Sequence, residues 1–482
     1  MEYTEFSAYP ITGGALTTWA PTALQGAWRP DDRELSFDHE AHLADEGDGS
    51  WIGAVMRVPM PYDEGAVRRT LRAWTARHEV LRTTVRAAED GGWHRETCRP
   101  EDVDVTVLDR AALDRDGVLD RLLDTFARVR PTAWPHVLFA TVRPDGATDS
   151  EGFHLAFGAD HSVMDAYSQL LWFDEMVVLY RRALAGDTDR ELAQVDVGSH
   201  VDFAAFDRRL GQLVTEHDAA VEVWSRFLDR ATADRTATDP SPGPAFPRYP
   251  DPVLAARADT AAAHQQSFSV PVLDAADTAQ LNGWARSLGT GLQSVALAGL
   301  ARAVQRQTGA DELDLVLPMH TRHEPRYAGA VGWYVGLSPL HLDLADDASL
   351  TDLVRRTHHA VNAVKHLATR PFARIGQLLE VEDVPRFVVS YVDVRHVPGA
   401  GSWHSWQART LRSAAPDADE VYFWIIRDED GINVSARCPA GERAAARMEQ
   451  LMADYQQVLA QAAGRARGTT GLERGDDARV PA

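Results

Sequence analysis

The most informative part of the sequence is residues 154–168, His154-Leu-Ala-Phe-Gly-Ala-Asp160-His161-Ser-Val-Met-Asp165-Ala166-Tyr-Ser168. An apolar run typical of a buried strand ends in Asp-His, and a second Asp follows four residues after the histidine, just before a helical pattern. A turn from strand to helix exposes side chains in fixed geometry, and histidine suits proton transfer near neutral pH. His161 is therefore the first catalytic candidate, although a lone His-x-x-x-Asp is also typical of an ordinary loop histidine.

Strand-like and helix-like segments alternate on both sides of this stretch. We expect strands at 51–58, 81–85, 103–108, 136–143, 153–158, 266–270, 313–317, 332–342, 386–394, 421–427 and 432–437. We expect helices at 63–74, 116–129, 168–184, 216–233, 275–288, 292–307, 350–366 and 443–463. The pattern predicts a mixed α/β protein with an N-terminal lobe at 1–195, a C-terminal lobe at 196–464 and a disordered tail at 465–482.

The composition excludes some classes of protein. The chain has 482 residues and a formal net charge of −22, which excludes nucleic-acid binding through a general basic surface. Its two cysteines, Cys98 and Cys438, form no disulfide framework or zinc spacing, which favours a reducing compartment. The N-terminus lacks the basic region of a signal peptide, and no apolar run approaches the roughly 20 residues of a membrane span. We therefore expect a soluble, cytoplasmic protein.

Two further groups of motifs carry a family resemblance. Arg77-His-Glu-Val-Leu-Arg-Thr-Thr-Val resembles the RHExLRTxF segment of condensation domains from nonribosomal peptide synthetases, and 160–166 resembles their HHxxxDG motif. Val201-Asp-Phe-Ala-Ala-Phe, Val331-Gly-Trp-Tyr-Val-Gly-Leu-Ser-Pro-Leu and Pro371-Phe resemble later motifs in the family's order. Val389-Ser-Tyr-Val-Asp and Tyr422-Phe-Trp-Ile-Ile-Arg resemble stand-alone members, including polyketide-associated acyltransferases.

This resemblance implies a fold and an activity. The fold would be two chloramphenicol-acetyltransferase-like lobes arranged as a V, with the active site in the tunnel between them. The activity would be ester or amide formation between an acyl thioester and an alcohol or amine, in specialised-metabolite or complex-lipid biosynthesis. No carrier, adenylation or thioesterase domain is expected on this chain. The donor would be a phosphopantetheine thioester on a separate acyl- or peptidyl-carrier protein, or a CoA thioester, with no permanently bound cofactor.

The resemblance also implies roles for individual residues. His161 would be the general base, and backbone N–H groups after Asp165 would stabilise the developing oxyanion. Asp165 would turn away from the substrate and pair with Arg322 of the second lobe, in a structural role. Substrate contacts would come from Trp333, Gly336 and Ser338 on one motif strand. They would also come from two residues of a later strand, Ser390 and Tyr391.

Four positions depart from the family pattern. Asp160 replaces the first histidine, and an acid beside the base can raise the pKa of His161. Ala166 replaces glycine, which implies strain of order 1 kcal/mol if the backbone there needs a positive φ. Gly336 replaces asparagine and His341 replaces arginine, which puts the substrate contacts of that strand in question.

Alternatives to these assignments remain open from sequence. A catalytically inactive module that recruits a partner enzyme or carrier protein would explain Asp160 and Ala166, and thioester hydrolysis needs only water in the acceptor channel. Trp403 and Trp406 fit either an acceptor channel or the packing of a crossover segment, with packing favoured. No metal is expected, because His320, His323 and Glu324 match no ligand spacing. A basic patch for a carrier protein would have to concentrate arginines locally, for example Arg68, Arg69 and Arg72.

Overall fold

The computed structural model describes residues 1–44, 51–89, 91–146, 151–194, 197–233, 243–255, 265–344, 348–413 and 419–475, with the backbone alone at 467–475. Fourteen strands and α-helices fall in the described part of the first 195 residues. In chain order they are β1 (Tyr3–Thr4), β2 (Gly14–Ala23), β3 (Arg29–Asp31), α1 (Phe37–Ala44), β4 (Ile52–Val58), α2 (Glu64–Arg77), β5 (Thr83–Ala87), β6 (Trp93–Thr97), β7 (Val103–Leu113), α3 (Arg115–Phe126), β8 (Val137–Pro144), β9 (Phe153–Ala159), α4 (Ala166–Leu184) and α5 (Asp189–Ala193).

Fourteen more elements follow in the described part of the second half. They are α6 (His200–Gln212), α7 (Ala219–Ala233), β10 (Gln265–Asp274), α8 (Ala275–Ser287), α9 (Leu292–Thr308), β11 (Glu312–His320), β12 (Val335–Asp343), α10 (Leu350–Val364), α11 (Phe372–Leu379), β13 (Phe387–Asp393), β14 (Arg409–Arg412), β15 (Val421–Arg427), β16 (Gly431–Pro439) and α12 (Glu442–Gly475). The predicted mixed α/β class is confirmed.

Each half is built around a sheet covered by helices. The seven-stranded sheet has the order β1-β14-β4-β9-β8-β2-β7, and the six-stranded sheet has the order β10-β16-β15-β13-β11-β12. A small sheet, β3-β6-β5, lies beside the first. Long helices bury apolar faces on these sheets: α4 against the first, and α9 and α12 against the second. The arrangement separates two hydrophobic cores, as expected for two lobes.

One strand joins the two lobes. Although β14 belongs to the second half of the chain, it pairs antiparallel with β4 and parallel with β1 inside the sheet of the first lobe. This connection was not predicted, because a four-residue strand gives no periodic signal. The lobe boundary expected at 195 therefore does not separate two independent sheets.

The C-terminal helix is longer than expected. The periodicity predicted an end near residue 463 and a disordered tail from 465, whereas α12 continues to Gly475. Ala462, Ala463 and Ala466 are all buried, so the face that holds the helix to the second lobe extends past the expected end. Residues 476–482 lie outside the described part of the chain.

Candidate active site

The strand-to-helix turn is built by two carboxylates. After β9 ends at Ala159, the Asp160 carboxylate accepts a hydrogen bond from the Ser162 N–H at 2.8 Å and starts one 3₁₀ turn over His161–Val163. Asp165 then caps α4 by accepting from the Ser168 N–H at 2.7 Å. Both caps are typical of aspartate at a helix start. They hold His161 in a short rigid turn between strand and helix.

The ring of His161 lies where the two lobes meet. Its centroid is 4.6 Å from that of Trp333, which comes from the second lobe, and 6.5 Å from that of His42 on α1. The residue is partly exposed, while its Nδ1 is buried and has no hydrogen-bond partner among the described residues. Burial, helped by the charges of His42 and Arg412, lowers the pKa of His161 to about 4. The imidazole is therefore neutral at pH 7.

The effect of Asp160 on His161 that the sequence suggested is present, but burial is stronger. The charge of Asp160 does act to raise the pKa of His161, but burial outweighs it and the net shift is downward. The Asp160 carboxylate instead accepts a hydrogen bond from His42 Nε2 at 3.0 Å. Burial acts to raise the pKa of Asp160, but the hydrogen bond and charge of His42 outweigh it and hold the pKa well below its ordinary value. His42 was missed because no motif links it to a residue 118 positions away.

Asp165 and Arg322 form a buried pair between the lobes. Arg322 Nη1 and Nη2 donate to the Asp165 carboxylate at 2.7 and 3.0 Å, and their side chains are 3% and 0% exposed. The same carboxylate also accepts from the Tyr334 N–H at 2.9 Å. Burial acts to raise the pKa of Asp165, but the charge and hydrogen bonds of Arg322 keep it below the ordinary value. These contacts use the whole carboxylate, so Asp165 is unavailable to a substrate.

The Arg77-His78-Glu79 segment also ties the lobes together. Arg77 and His78 Nε2 both donate to Glu175 on α4, at 2.7 and 2.8 Å. His78 Nδ1 accepts from the N–H of Val331, which belongs to the second lobe and lies two residues before Trp333. This motif therefore positions the segment that packs against His161, and its side chains are committed to structure.

Ala166 begins α4 without backbone strain. The non-glycine residues with positive φ in the described chain are Glu380 and Gln407, so the strain considered for an alanine at this position is absent. The N–H groups of Ala166 and Tyr167 have no acceptor among the described residues, and both residues are partly exposed. Such open donors at a helix start favour negative charge.

The three residues of the motif strand that were expected to bind substrate differ in their exposure and contacts. Trp333 is partly exposed, and its ring packs at an angle against that of His161. Gly336 lines a small cavity with Trp333, and a Cβ at this position would lie 1.9 Å from the Ala368 carbonyl oxygen, so glycine is required by packing. Ser338 is fully buried and donates to the Val364 carbonyl at 3.2 Å, which differs from the expected substrate contact.

Ser390 and Tyr391 point to opposite faces of the second sheet, as successive strand residues do. Ser390 is in register with Trp424, which belongs to the core of the first lobe. Tyr391 packs against the core of the second lobe. Only Ser390 therefore faces the junction, and the expected substrate contact of Tyr391 is not supported.

Three other candidate groups pack or pair with neighbouring residues of the protein. Trp403 and Trp406 are 4% and 9% exposed and belong to the first-lobe core, as the packing interpretation predicted. The arginines proposed as a basic patch are already paired: Arg68 with Asp104, and Arg69 and Arg72 with Asp189. The closest grouping of metal-ligand side chains among the described residues is Glu312, Asp314 and His341, where Arg230 also pairs with Asp314.

Two α/β lobes that meet beside a His-x-x-x-Asp turn are typical of chloramphenicol-acetyltransferase-like transferases. The family model of the condensation domain matches residues 41–387, and the chain belongs to that family. It is 23% identical to the acyltransferase PapA3 of Mycobacterium tuberculosis over 93% of this chain and 97% of PapA3. It is 26% identical to the beauvericin nonribosomal cyclodepsipeptide synthetase of Beauveria bassiana over 64% of this chain and 9% of that much longer protein.

Solved structures show the same fold. The PapA2 acyl transferase superposes with a TM-score of 0.81 at 18% identity, covering 96% of this chain and 100% of PapA2. The first condensation domain of the calcium-dependent antibiotic synthetase superposes with a TM-score of 0.63 at 17% identity, covering 89% and 96%. The chain is thus an acyltransferase of the condensation type. Among the described residues, no helix has the length and hydropathy that crossing a membrane requires.

Proposed function

We propose that this enzyme transfers an acyl group from a thioester to an alcohol or amine, with His161 as general base. The biosynthetic setting would be a specialised metabolite or a complex lipid. The observation that carries the proposal is a neutral imidazole at the junction of the lobes, beside two unused N–H groups. The proposal agrees with the names of two related proteins, which are an acyltransferase and a nonribosomal cyclodepsipeptide synthetase.

The base acts through the accessible edge of the ring. Because Nδ1 is buried, Nε2 is the nitrogen that a substrate hydroxyl or amine can reach. His161 would remove the proton of the acceptor as it attacks the thioester carbonyl, and would return it to the leaving thiolate. A pKa near 4 keeps the base unprotonated at pH 7. The same low pKa makes it a weak base, so the acceptor must lose its proton as the new bond forms.

The start of α4 can stabilise the tetrahedral intermediate. Within the described part of the chain, no group accepts a hydrogen bond from the N–H of Ala166 or Tyr167, and the helix dipole adds positive potential at the same place. Donors of this kind lower the barrier because negative charge develops on the carbonyl oxygen only during reaction. Asp165 takes no part in this chemistry; it holds the turn and the helix start in place through Arg322.

The donor is proposed to be a thioester of phosphopantetheine on a carrier protein, or of CoA. The arginines on α2 pair with carboxylates and offer no concentrated basic patch there. This arrangement favours CoA, or a carrier that docks at another surface. The acceptor enters as a separate small molecule.

Thiol release is the direct test of this proposal. Acyl-CoA and acyl-carrier thioesters would be incubated with pooled alcohols and amines, and free thiol and acylated product measured. We expect acceptor-dependent release by the unmodified protein and a loss of about 10²- to 10⁴-fold in His161→Asn. His359→Asn, an exposed histidine on α10, is the matched control and should retain full activity.

The same assay tests the two alternatives. Release without an acceptor, producing free acid, would favour thioester hydrolysis. Equal inactivity of the unmodified protein and His161→Asn, with donors shown to bind both proteins, would overturn catalysis. It would instead support a module that recruits a partner enzyme or carrier protein, an alternative suggested by Asp160 in place of the usual histidine.

A further inference from the structure

Arg412 lies on the first sheet, in register with the end of the strand that precedes the turn of His161. On β14 it is in register with Ile52, and Ile52 is in register with Ala159, the last residue of β9. Residues directly opposite in an antiparallel sheet share a face, so these three side chains point the same way. His161 follows Ala159 by two residues, and the charge of Arg412 acts on its pKa. Arg412 is therefore a neighbour of the proposed reaction centre.

Among the described residues, the guanidinium of Arg412 has no anionic partner of its own. It lies 5.2 Å from the ring centroids of both Tyr422 and Trp424, and it forms no hydrogen bond or ion pair with any residue in the described part of the chain. The neighbouring carboxylate, Glu420, accepts a hydrogen bond from Arg437. Two guanidinium groups thus share one carboxylate, and one positive charge remains. Burial and the charge of Arg437 lower the pKa of Arg412 to about 10, so it is charged at pH 7.

Two hydroxyl groups next to Trp424, the ring that Arg412 contacts, also lack hydrogen-bond partners within the described chain. Tyr3 is 3% exposed and stacks on Trp424 at 5.2 Å, and its hydroxyl is buried without a hydrogen-bond partner among the described residues. Ser390 is the register neighbour of Trp424, and its hydroxyl makes no hydrogen bond within the described chain. A buried polar group without a hydrogen-bond partner, such as the Tyr3 hydroxyl, is destabilising. Donors left unused around an unpaired cation fit a ligand that supplies acceptors and negative charge.

We propose that Arg412, with the hydroxyls of Tyr3 and Ser390, forms a subsite for an anionic group of one substrate. A carboxylate or sulfate matches these donors, because both supply several acceptor oxygens to a guanidinium. Arg412 is itself partly exposed, so a ligand in the junction can reach it. This inference deepens the proposed function and rests on it for the identity of the ligand as a substrate. Anion binding itself can be measured whether or not transfer occurs.

Binding of a simple anion is the first test. Equilibrium dialysis with radiolabelled sulfate at constant ionic strength would compare the unmodified protein, Arg412→Gln and Arg409→Gln. Arg409 lies on the same strand but pairs with Glu2, so its variant removes the same charge from a different place. We expect saturable binding, displaced by malonate, in the unmodified protein and Arg409→Gln, and a loss of affinity of about 10- to 100-fold in Arg412→Gln. Thermal unfolding of each variant checks that it is folded.

Three outcomes would overturn the subsite: absence of saturable binding in the unmodified protein, equal binding by Arg412→Gln, or equal loss in Arg409→Gln. His161→Asn separates the subsite from the proposed function, because it should abolish transfer and still bind sulfate. If the unmodified protein binds sulfate through Arg412 but transfers no acyl group, the proposed function fails and the anion site stands.

Paired substrates identify the source of the anion. Succinyl-CoA and butyryl-CoA differ by a terminal carboxylate on the acyl chain, and glucuronate and glucose differ by a carboxylate on the acceptor. Arg412→Gln should lower kcat/KM about 10- to 100-fold for the acidic member of one pair and leave its neutral member unchanged. The pair that responds assigns the charge to the donor or to the acceptor. Equal losses for acidic and neutral members of both pairs would overturn a role in substrate recognition.

Discussion

At the residue scale, burial and charge determine what each polar side chain near the turn can do. Asp160 and Asp165 are five positions apart and both buried, yet each already accepts hydrogen bonds from its own neighbours. His161 differs from them, because it is partly exposed and its Nδ1 has no hydrogen-bond partner among the described residues. Of these three side chains, His161 is therefore the proton acceptor that remains available to a substrate.

The proposed role of His161 as general base predicts a pH dependence of transfer, set by the pKa of its ring. A base with a pKa lowered to about 4 stays neutral above that pH and is lost only as the pH falls through it. We expect kcat/KM to hold its value down to about pH 5, where a histidine with the ordinary pKa of about 6.5 would be largely protonated. The measurement is kcat/KM from pH 4.5 to 8, with circular dichroism at each pH to exclude unfolding. A fall in kcat/KM centred near pH 6.5, in folded protein, would contradict this expectation.

The Asp165–Arg322 pair makes a second prediction at this scale. Asp165→Asn leaves a buried guanidinium without its counter-charge, so we expect a loss of about 3–5 kcal/mol in the free energy of unfolding. Asp104→Asn removes the partner of Arg68 at the surface, where both side chains are substantially exposed, and should cost less than about 1 kcal/mol. Urea denaturation of both variants makes the comparison, and equal losses would show that burial is not decisive.

At the element scale, the structure separates the patterns that sequence can supply from those it cannot. The helices over 64–77, 166–184 and 292–308 and the strands over 52–58 and 421–427 follow local periodicity, and all were predicted to within a few residues. β14 and the contact of α1 with Asp160 depend on partners more than 100 residues away. Neither the pairing of β14 nor the contact of α1 with Asp160 produces a pattern in the nearby sequence. Pairing of Asp165 with Arg322 was expected only because the family resemblance supplied the partner.

The start of α4 makes a prediction about the alanine that replaces the usual glycine. Because Ala166 has no positive φ, glycine relieves no strain there and only adds backbone freedom to the unfolded chain. We expect Ala166→Gly to lower the free energy of unfolding by about 0.5–1 kcal/mol, measured by urea denaturation. An increase in stability would show that the alanine is strained.

At the scale of the whole molecule, the two lobes share structure as well as an active site. β14 sits between β1 and β4 in the first sheet, and Tyr3 at the N-terminus stacks on Trp424 of the second lobe. The Asp165–Arg322 pair and the His78–Val331 hydrogen bond cross the same junction. His161 and Trp333 come from different lobes, so the reaction centre depends on how the lobes are fixed to each other.

This shared construction predicts that the first lobe does not fold alone. A fragment of residues 1–195 lacks β14, so β4 becomes an open edge and the apolar groups that Trp403, Trp406 and Trp424 cover become exposed. It also leaves Asp165 buried without Arg322. We expect the fragment to aggregate or to show no cooperative unfolding by circular dichroism. Mixing it with residues 196–482 during refolding should restore cooperative unfolding, because the second fragment supplies β14. A cooperative transition in the isolated fragment would show that β14 is an accessory strand and that the lobes are independent folding units.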